Sequence, residues 1–103
     1  MKIGKMQRSI LQKKSGNKYI IKFSKQAEKD KEKLKRSGLD KMAKEILNVM
    51  LVDPFGYPPP FEKLTGDLSG LYSRRTNRQH RIVYEVAKLK KEIHILRMWT
   101  HYE

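Results

Sequence analysis

The chain has 103 residues, of which 38% are hydrophobic and 34% charged, and its formal net charge is +13. This length suits one domain with a modest core, and the lack of cysteine excludes disulfides, thiolate chemistry and cysteine-based zinc sites. The excess of 24 basic over 11 acidic residues favours a polyanionic partner, with nucleic acid ahead of acidic protein or anionic membrane. No apolar run reaches transmembrane or signal-peptide length, so we expect a cytoplasmic protein with no membrane partner.

Residues 1–18 show no sustained hydrophobic period and end in "KKSGNK", so we expect a flexible basic arm before a single domain at 19–103. The run "YIIKF" predicts a strand. Ser24 is placed to cap a very polar helix, "KQAEKDKEKLKR", which a Ser-Gly pair ends. From Leu39 onward, apolar residues at i, i+3, i+4 and i+7 predict a second helix with a buried stripe, ending before an Asp-Pro pair.

The second half of the chain predicts a stiff loop followed by three strands. "DPFGYPPPFEK" is rich in proline and glycine, and "TGDLSG" continues the turn chemistry. The strand candidates are "LYSRRT", "RIVYEV" and "EIHILRMWTHY", joined by connections short enough for antiparallel hairpins. The predicted order is β-α-α-β-β-β, an α+β domain in which a helical hairpin packs on one face of an antiparallel sheet.

Four residues in this half could cleave RNA without a metal ion. Attack of a ribose 2′-OH on the adjacent phosphate needs a base, an acid for the leaving oxygen and a cation for the extra phosphoryl charge. Glu62 is a candidate base, Arg81 a planar phosphate binder, and His101 a group that titrates near neutrality. Tyr102 can stack on a base or donate a proton. Because DNA lacks the 2′-OH, such a site would favour RNA.

Each of these residues also has a simpler interpretation. Glu62 can be a solvated loop charge, and the strand arginines can bind phosphate without any catalysis; they are Arg74, Arg75, Arg78 and Arg81. His80 and His94 are interpreted as structural. No His or carboxylate spacing resembles a metal site, and no glycine-rich phosphate loop occurs, so neither a metal nor a cofactor is expected.

The stretch "FEKLTGDLSGLYSRRTNRQHRIVYEV", together with the terminal "THY", resembles the YoeB/Txe branch of the RelE-like toxins of toxin–antitoxin pairs. The matching blocks are Glu-x-Leu, Leu-x-Gly followed by "LYSRR", then "HRIVY", and a closing His-Tyr, all in the family's order. The resemblance covers about residues 19 to 102. It implies a small α+β toxin that enters the ribosomal A site and cleaves mRNA there.

Carried over by position, the resemblance assigns both catalysis and substrate binding. The implied catalytic residues are Glu62 as general base, Arg81 as binder of the transition-state phosphate, His101 as general acid and Tyr102 as orienter of the mRNA. The implied phosphate or substrate contacts are Arg75, Arg74 and Thr65, the last standing where relatives often have Lys. Two departures are the 18 or so extra N-terminal residues and Glu103, whose charge adjoins the implied acid.

The resemblance also implies partners, namely mRNA, the ribosome and a cognate antitoxin that wraps the toxin, and homodimers occur among its members. Two other functions remain open from the residues themselves. One is a non-catalytic basic module that binds RNA or the ribosome, and the other is an interaction protein whose basic surface meets an acidic partner. Neither alternative gives a role to Glu62 or to the terminal His-Tyr pair.

Overall fold

The computed structural model describes residues 6–11 and 18–101 of the chain, with side chains described from 18 to 100. In chain order the elements are β1 (Met6–Leu11), β2 (Ile20–Ser24), α1 (Lys25–Ser37), α2 (Asp40–Val52), β3 (Glu62–Lys63), a 3-10 turn (Gly66–Leu68), β4 (Tyr72–Arg75), β5 (His80–Ala87) and β6 (Glu92–His101). The strands form one six-stranded sheet in the order β1-β2-β6-β5-β4-β3. The predicted fold class, α+β with a helical hairpin on one face of a sheet, is confirmed.

The sheet is mixed, and the prediction of an antiparallel sheet is wrong at one pair of strands. β2 runs parallel to β6, from Ile20 opposite Glu92 to Phe23 opposite Ile95, while the other neighbours are antiparallel. A parallel pair needs a long crossover connection, and here the whole chain between the two strands, helices included, supplies it. Short-range turn signals predict hairpins and carry no information about this long-range pairing.

β1 lies within the segment for which the sequence predicts only a flexible basic arm. It pairs antiparallel with β2, with Leu11 opposite Ile21 and Met6 opposite Ser24, and an irregularity interrupts the pairing between Met6 and Ile10. Residues 6–11 are therefore an edge strand of the sheet, which corrects the prediction for that stretch. The rest of the predicted arm, except Lys18, lies outside the described residues.

The caps of α1 form as predicted. The Ser24 hydroxyl accepts a hydrogen bond from the Ala27 amide (3.0 Å) and donates one to the Leu96 carbonyl of β6 (2.8 Å). At the other end Gly38 has φ 78°, a left-handed conformation that glycine adopts without strain, and its amide reaches the carbonyls of Leu34 and Lys35. Ser24 therefore both starts the helix and ties it to the sheet.

The main core lies between the helical hairpin and one face of the sheet. The predicted stripe of α2 is buried there in Ala43, Ile46, Leu47 and Met50, but Met42, its i+3 position, is 46% exposed. The sheet contributes Ile21, Phe23, Ile82, Tyr84, Ile93, Ile95 and Met98. On the opposite face a smaller cluster of Leu71, Val83 and Leu96 is covered by Leu64 and Leu68. Within the described residues, no helix is both long and apolar enough to span a bilayer.

Candidate active site

Glu62 is held against the sheet through the short strand β3. Glu62 lies opposite Ser73 of β4, and the Leu64 amide donates to the Leu71 carbonyl (2.9 Å). After the strand, Leu64 and Leu68 pack on the smaller apolar cluster. The loop carboxylate is therefore attached to a rigid element by main-chain hydrogen bonds and apolar contacts, although the sequence predicts only a loop there.

Glu62, Arg75 and Arg81 share the face of the sheet opposite the helices. Directly opposed residues of an antiparallel pair point to the same face, and Ser73 lies opposite Val83 while Arg75 lies opposite Arg81. The Arg75 Nε lies 3.8 Å from Glu62 Oε1, and both side chains are about half exposed, at 48% and 47%. The structure thus brings three of the predicted site residues together around one solvent-accessible surface.

The electrostatics of this face suit an anion. Like charges directly opposite each other on neighbouring strands destabilise a sheet, and Arg75 and Arg81 occupy such positions. The Glu62 carboxylate offsets part of that repulsion at 3.8 Å. A bound phosphate would offset more, because each guanidinium presents a planar fork of donors to phosphate oxygens.

β6 ends beside this face. Thr100 lies opposite Arg81, and the main chain of His101, the last described residue, lies opposite His80. The side chain of His101 and all of Tyr102 lie outside the described part of the chain. The roles predicted for these two side chains therefore stay predictions.

Arg74 does not belong to the site, which corrects the prediction that it contacts phosphate. Its side chain is 1% exposed, because strand alternation turns it away from the face that Arg75 occupies. Its guanidinium donates to the Tyr84 hydroxyl (3.2 Å) and to the carbonyls of Pro54 (2.9 Å) and Pro59. Arg74 therefore fastens the proline-rich loop to the sheet.

Thr65 lies in the turn after β3 and is exposed. Its carbonyl accepts a hydrogen bond from the Leu68 amide (3.2 Å), and its hydroxyl makes no capping bond to the 3-10 turn. The position leaves the hydroxyl open to solvent two residues beyond Lys63, the end of β3. Its predicted contact with substrate stays a prediction.

Two hydroxyls on the same face are absent from the sequence-based predictions. Ser73 Oγ and Thr100 Oγ1 are buried, and neither has a hydrogen-bond partner within the described chain. Ser73 lies opposite Glu62, and Thr100 lies opposite Arg81. Because a buried hydroxyl without a partner costs about 1–3 kcal/mol, a new polar contact at either position would gain free energy. Only the strand register identifies these residues, since serine and threonine are common in strands and turns.

Asp30 of α1 is a third residue that the sequence-based predictions miss. It is completely buried, and Oδ2 accepts hydrogen bonds from Arg97 Nε (2.9 Å) and from the amides of Met98 (2.9 Å) and Trp99 (3.2 Å). Its sequence position does contain a signal: Asp30 lies three residues after Ala27 and four before Leu34, on the buried line of the helix.

The pKa of Asp30 reflects these contacts. Burial raises the pKa, but hydrogen bonds from Arg97, from the Met98 amide and from Gln26 outweigh it and leave the pKa below its usual value. The carboxylate is therefore ionised at neutral pH despite its burial. It is the one completely buried acidic side chain among the described residues.

His80 and His94 have structural contacts, as the sequence predicts. The ring of His80 is buried and stacks on Trp99, with 3.7 Å between centroids. His94 lies between two carboxylates, 3.2 Å from Glu85 Oε1 and 2.9 Å from Glu92 Oε1. Over the described part of the chain, no group of three or more His, Cys, Asp or Glu side chains is arranged to hold a metal ion.

Comparison with known proteins places most of the chain in one family. A family model described as the YoeB-like toxin of bacterial type II toxin–antitoxin systems matches residues 22–102. Toxin YoeB of Synechocystis sp. is 35% identical over 74 residues, which are 72% of this chain and 77% of that protein.

Solved structures of similar proteins share the fold. The YoeB–YefM heterotetramer of Staphylococcus aureus matches with a TM-score of 0.68 and 33% identity, covering 80% of this chain and 95% of the matched chain. The YoeB dimer of the same organism matches with a TM-score of 0.70 and 32% identity, over 82% and 99% of the two chains.

Proposed function

The chain belongs to the YoeB-like toxins of bacterial type II toxin–antitoxin systems, and we propose that it is a ribosome-dependent endoribonuclease that cleaves mRNA in the A site and so stops translation. The observation that supports this proposal best is the shared face of Glu62, Arg75 and Arg81, where a carboxylate lies 3.8 Å from one of two opposed guanidinium groups. A carboxylate beside phosphate-binding cations is the arrangement that metal-free RNA cleavage needs.

In the proposed reaction the ribose 2′-oxygen attacks the adjacent phosphorus while Glu62 takes the 2′-OH proton. Arg81, with Arg75 beside it, holds the negative charge that builds up on the non-bridging phosphate oxygens. His101 donates a proton to the 5′-oxygen as the P–O bond breaks, and Tyr102 orients the mRNA. The products are a 2′,3′-cyclic phosphate, which water can open to a 3′-phosphate, and a free 5′-hydroxyl. Every proton is accounted for without a metal ion.

A requirement for the ribosome follows from the open character of this face. Glu62 and Arg75 are about half exposed, so the protein alone offers little to hold a flexible RNA strand in line for attack. Positioning can supply several kcal/mol of a reaction barrier, on the order of 7–11 at best, and the ribosome would provide it. The exposed basic residues of α1 would bind ribosomal RNA; they are Lys25, Lys29, Lys33, Lys35 and Arg36. A protein acting on translating ribosomes works in the cytoplasm.

The proposed regulation is by a cognate antitoxin. The solved relatives include a YoeB–YefM toxin–antitoxin heterotetramer and a YoeB dimer. We extend both forms of assembly to this chain. Its net charge of +13 suits an acidic partner that covers the basic surface.

The test is cleavage of a defined mRNA on 70S ribosomes. We expect cuts in the A-site codon with the wild-type protein, and at least about a hundredfold slower cleavage with Glu62→Gln or His101→Gln, because general acid and base catalysis contribute that much. Both substitutions keep size and polarity. The matched controls are Glu45→Gln on the exposed side of α2 and Lys90→Gln in the β5–β6 turn, which should cleave at the wild-type rate.

The same experiment separates the proposal from the alternative of a non-catalytic ribosome-binding module. Such a module would inhibit translation without cutting mRNA, and Glu62→Gln would inhibit as strongly as wild type. Intact mRNA in a wild-type reaction that nevertheless stalls translation would therefore replace the nuclease proposal with the binding one.

A further inference from the structure

β6 contains two more residues than β5 over the stretch where these strands pair. Tyr84 lies opposite Ile95, Val83 opposite Arg97 and Arg81 opposite Thr100, so one step on β5 matches two on β6 and the next two match three. The second of these irregularities encloses Met98 and Trp99. Extra residues of this kind form β-bulges, which re-aim the chain that follows them.

Asp30 of α1 binds this second bulge directly. Its Oδ2 accepts from the amides of both Met98 (2.9 Å) and Trp99 (3.2 Å). Two successive amides that donate to one oxygen cannot alternate between the two sides of a strand as they do in a regular ladder. The Asp30 carboxylate therefore accepts hydrogen bonds that the main chain can donate only in the bulged conformation.

Arg97 completes the clamp from the other side of the bulge. Its Nε donates to Asp30 Oδ2 (2.9 Å), and its Nη2 donates to the Trp99 carbonyl (2.9 Å). Arg97 thus links the Asp30 carboxylate to the Trp99 carbonyl. Together the two side chains bind both the amides and a carbonyl of the bulge. Gln26 adds a hydrogen bond to Asp30 Oδ1 (3.1 Å) from the preceding turn of α1.

The bulge decides which residue of β6 faces Arg81. Without the extra residue of this bulge, the pairing of β6 with β5 would shift by one position. Because side chains alternate along a strand, every later side chain of β6 would then point to the other face. Trp99 would then lie opposite Arg81 in place of Thr100, and His101 would no longer lie opposite His80. The stacking of Trp99 on His80, with 3.7 Å between centroids, would be lost in the same step.

We propose that Asp30 is a positioning residue for the cleavage site, because its hydrogen bonds to the Met98–Trp99 bulge set the register that brings Thr100, and not Trp99, opposite Arg81. The catalytic consequence rests on the proposed function of Arg81, beside which Trp99 would replace Thr100, whereas the register itself does not. Asp30 touches no reacting atom and acts only through the path of β6.

If Asp30 had a purely stabilising role, its replacement would leave the register of β6 and the cleavage rate of the folded protein unchanged. Replacement of a buried ion pair by apolar side chains of similar volume is often neutral or favourable for stability. Asp30→Leu combined with Arg97→Met keeps the volume and removes both charges, but it leaves the Met98 and Trp99 amides without their acceptor. Asp30→Asn keeps the shape, yet its amide group must face either the bulge amides or the donors of Arg97 and Gln26.

The experiment measures register and cleavage separately. Cross-strand nuclear Overhauser contacts between Arg81 and Thr100 report the register and need no ribosome. Cleavage on 70S ribosomes gives the rate constant and the half-saturating concentration. We expect both Asp30 variants to lose the Arg81–Thr100 contact and to cleave at least about tenfold more slowly, with ribosome affinity within about twofold of wild type, since small displacements cost rate more than binding.

The matched control is Leu34→Ala, which removes a buried side chain from the next turn of the same helix. It should lower stability, yet keep the contact and the cleavage rate while folded. The proposal is overturned if either folded Asp30 variant retains the wild-type contact and rate, if Leu34→Ala slows cleavage equally, or if wild type lacks the contact. Should the double variant not fold, Asp30→Asn decides. Failure of wild type to cleave would overturn the proposed function and leave the register result standing.

Discussion

Arg74 and Arg75 are sequence neighbours with opposite environments, and the difference shows what a single side chain does in this fold. Strand alternation turns Arg74 inward, where it is 1% exposed and binds carbonyls of the proline-rich loop. Arg75 points outward and lies 3.8 Å from Glu62. One arginine thus secures the loop and the other belongs to the candidate site.

Arg74→Ala should lower the free energy of unfolding by roughly 3 kcal/mol, because buried carbonyls and the Tyr84 hydroxyl lose a charged donor. Arg75→Ala, in a half-exposed position, should change it by less than about 0.5 kcal/mol while it slows mRNA cleavage. Urea unfolding of the two variants measures this contrast. Equal loss of stability in both would contradict the structural role of Arg74.

Asp30 makes folding sensitive to acid. Burial raises its pKa, but hydrogen bonds from Arg97 and from the Met98 amide lower it below the usual 3.8. Because the folded-state pKa is below the unfolded one, the stabilisation is complete above the unfolded-state value and disappears as pH falls through the folded-state value.

We therefore expect the melting temperature of wild type to fall on acidification below about pH 4, and to fall less steeply in Asp30→Asn. Hydrogen bonds from His94 and Lys22 also lower the pKa of Glu92, so part of the slope should remain in the variant. Thermal unfolding followed by circular dichroism between neutral and acidic pH measures both slopes. Identical slopes in the two proteins would exclude Asp30 as a source of acid sensitivity.

Among the elements, the short strand β3 and its 3-10 turn decide where the loop carboxylate lies. Two residues pair with β4, and Leu64 and Leu68 cover the cluster of Leu71, Val83 and Leu96. Such a short strand has little stability of its own, so the apolar contacts must hold it. β3 and its turn thus hold Glu62 in a fixed position, although the residue lies in a segment that the sequence predicts to be a loop.

Leu68→Ala should reduce cleavage more than it reduces stability. The substitution removes apolar contact worth about 1 kcal/mol from a half-buried position, and the Glu62 loop would then sample positions away from the phosphate. Leu89→Ala at a fully exposed turn position is the matched control and should change neither property. The checks are single-turnover cleavage and urea unfolding, and an unchanged cleavage rate in Leu68→Ala would refute this anchoring role.

At the scale of the whole molecule, the basic charge and the site lie on different elements. The two helices carry many exposed lysines, whereas Glu62, Arg75 and Arg81 lie on the sheet face away from the helices. A molecule built in this way can hold a large RNA by one side and present a small site on the other. Binding and cleavage should then respond separately to substitutions.

Affinity for 70S ribosomes should fall by at least about tenfold between about 50 and 200 mM salt, since basic residues release counterions from RNA. The double variant Lys29→Gln/Lys33→Gln, on the exposed side of α1, should flatten this dependence without changing the cleavage rate at saturation. Filter binding across a salt series gives the slope. A slope unaffected by the double variant would place the ribosome contact elsewhere on the molecule.

Local patterns in the sequence were sufficient for most of the fold and for part of the site. The caps of α1, the buried stripe of α2 and the three later strands depend on residues close in the chain, and all of them form, except that Met42 of the stripe is exposed. The likeness of the Glu62 to Val86 blocks to one toxin family also rests on the sequence alone. Residue types such as Glu62 and Arg81 could therefore be proposed before their distances were known.

Only the tertiary structure decided how distant segments pair. The parallel alignment of β2 with β6, the addition of β1 and the inward position of Arg74 depend on contacts between residues far apart in the chain. Asp30 binds the second bulge of β6 although it lies 68 residues from Met98 in sequence. Hydrophobic period reports the face of an isolated element, whereas register results from the mutual fit of elements, and a single buried carboxylate can change it.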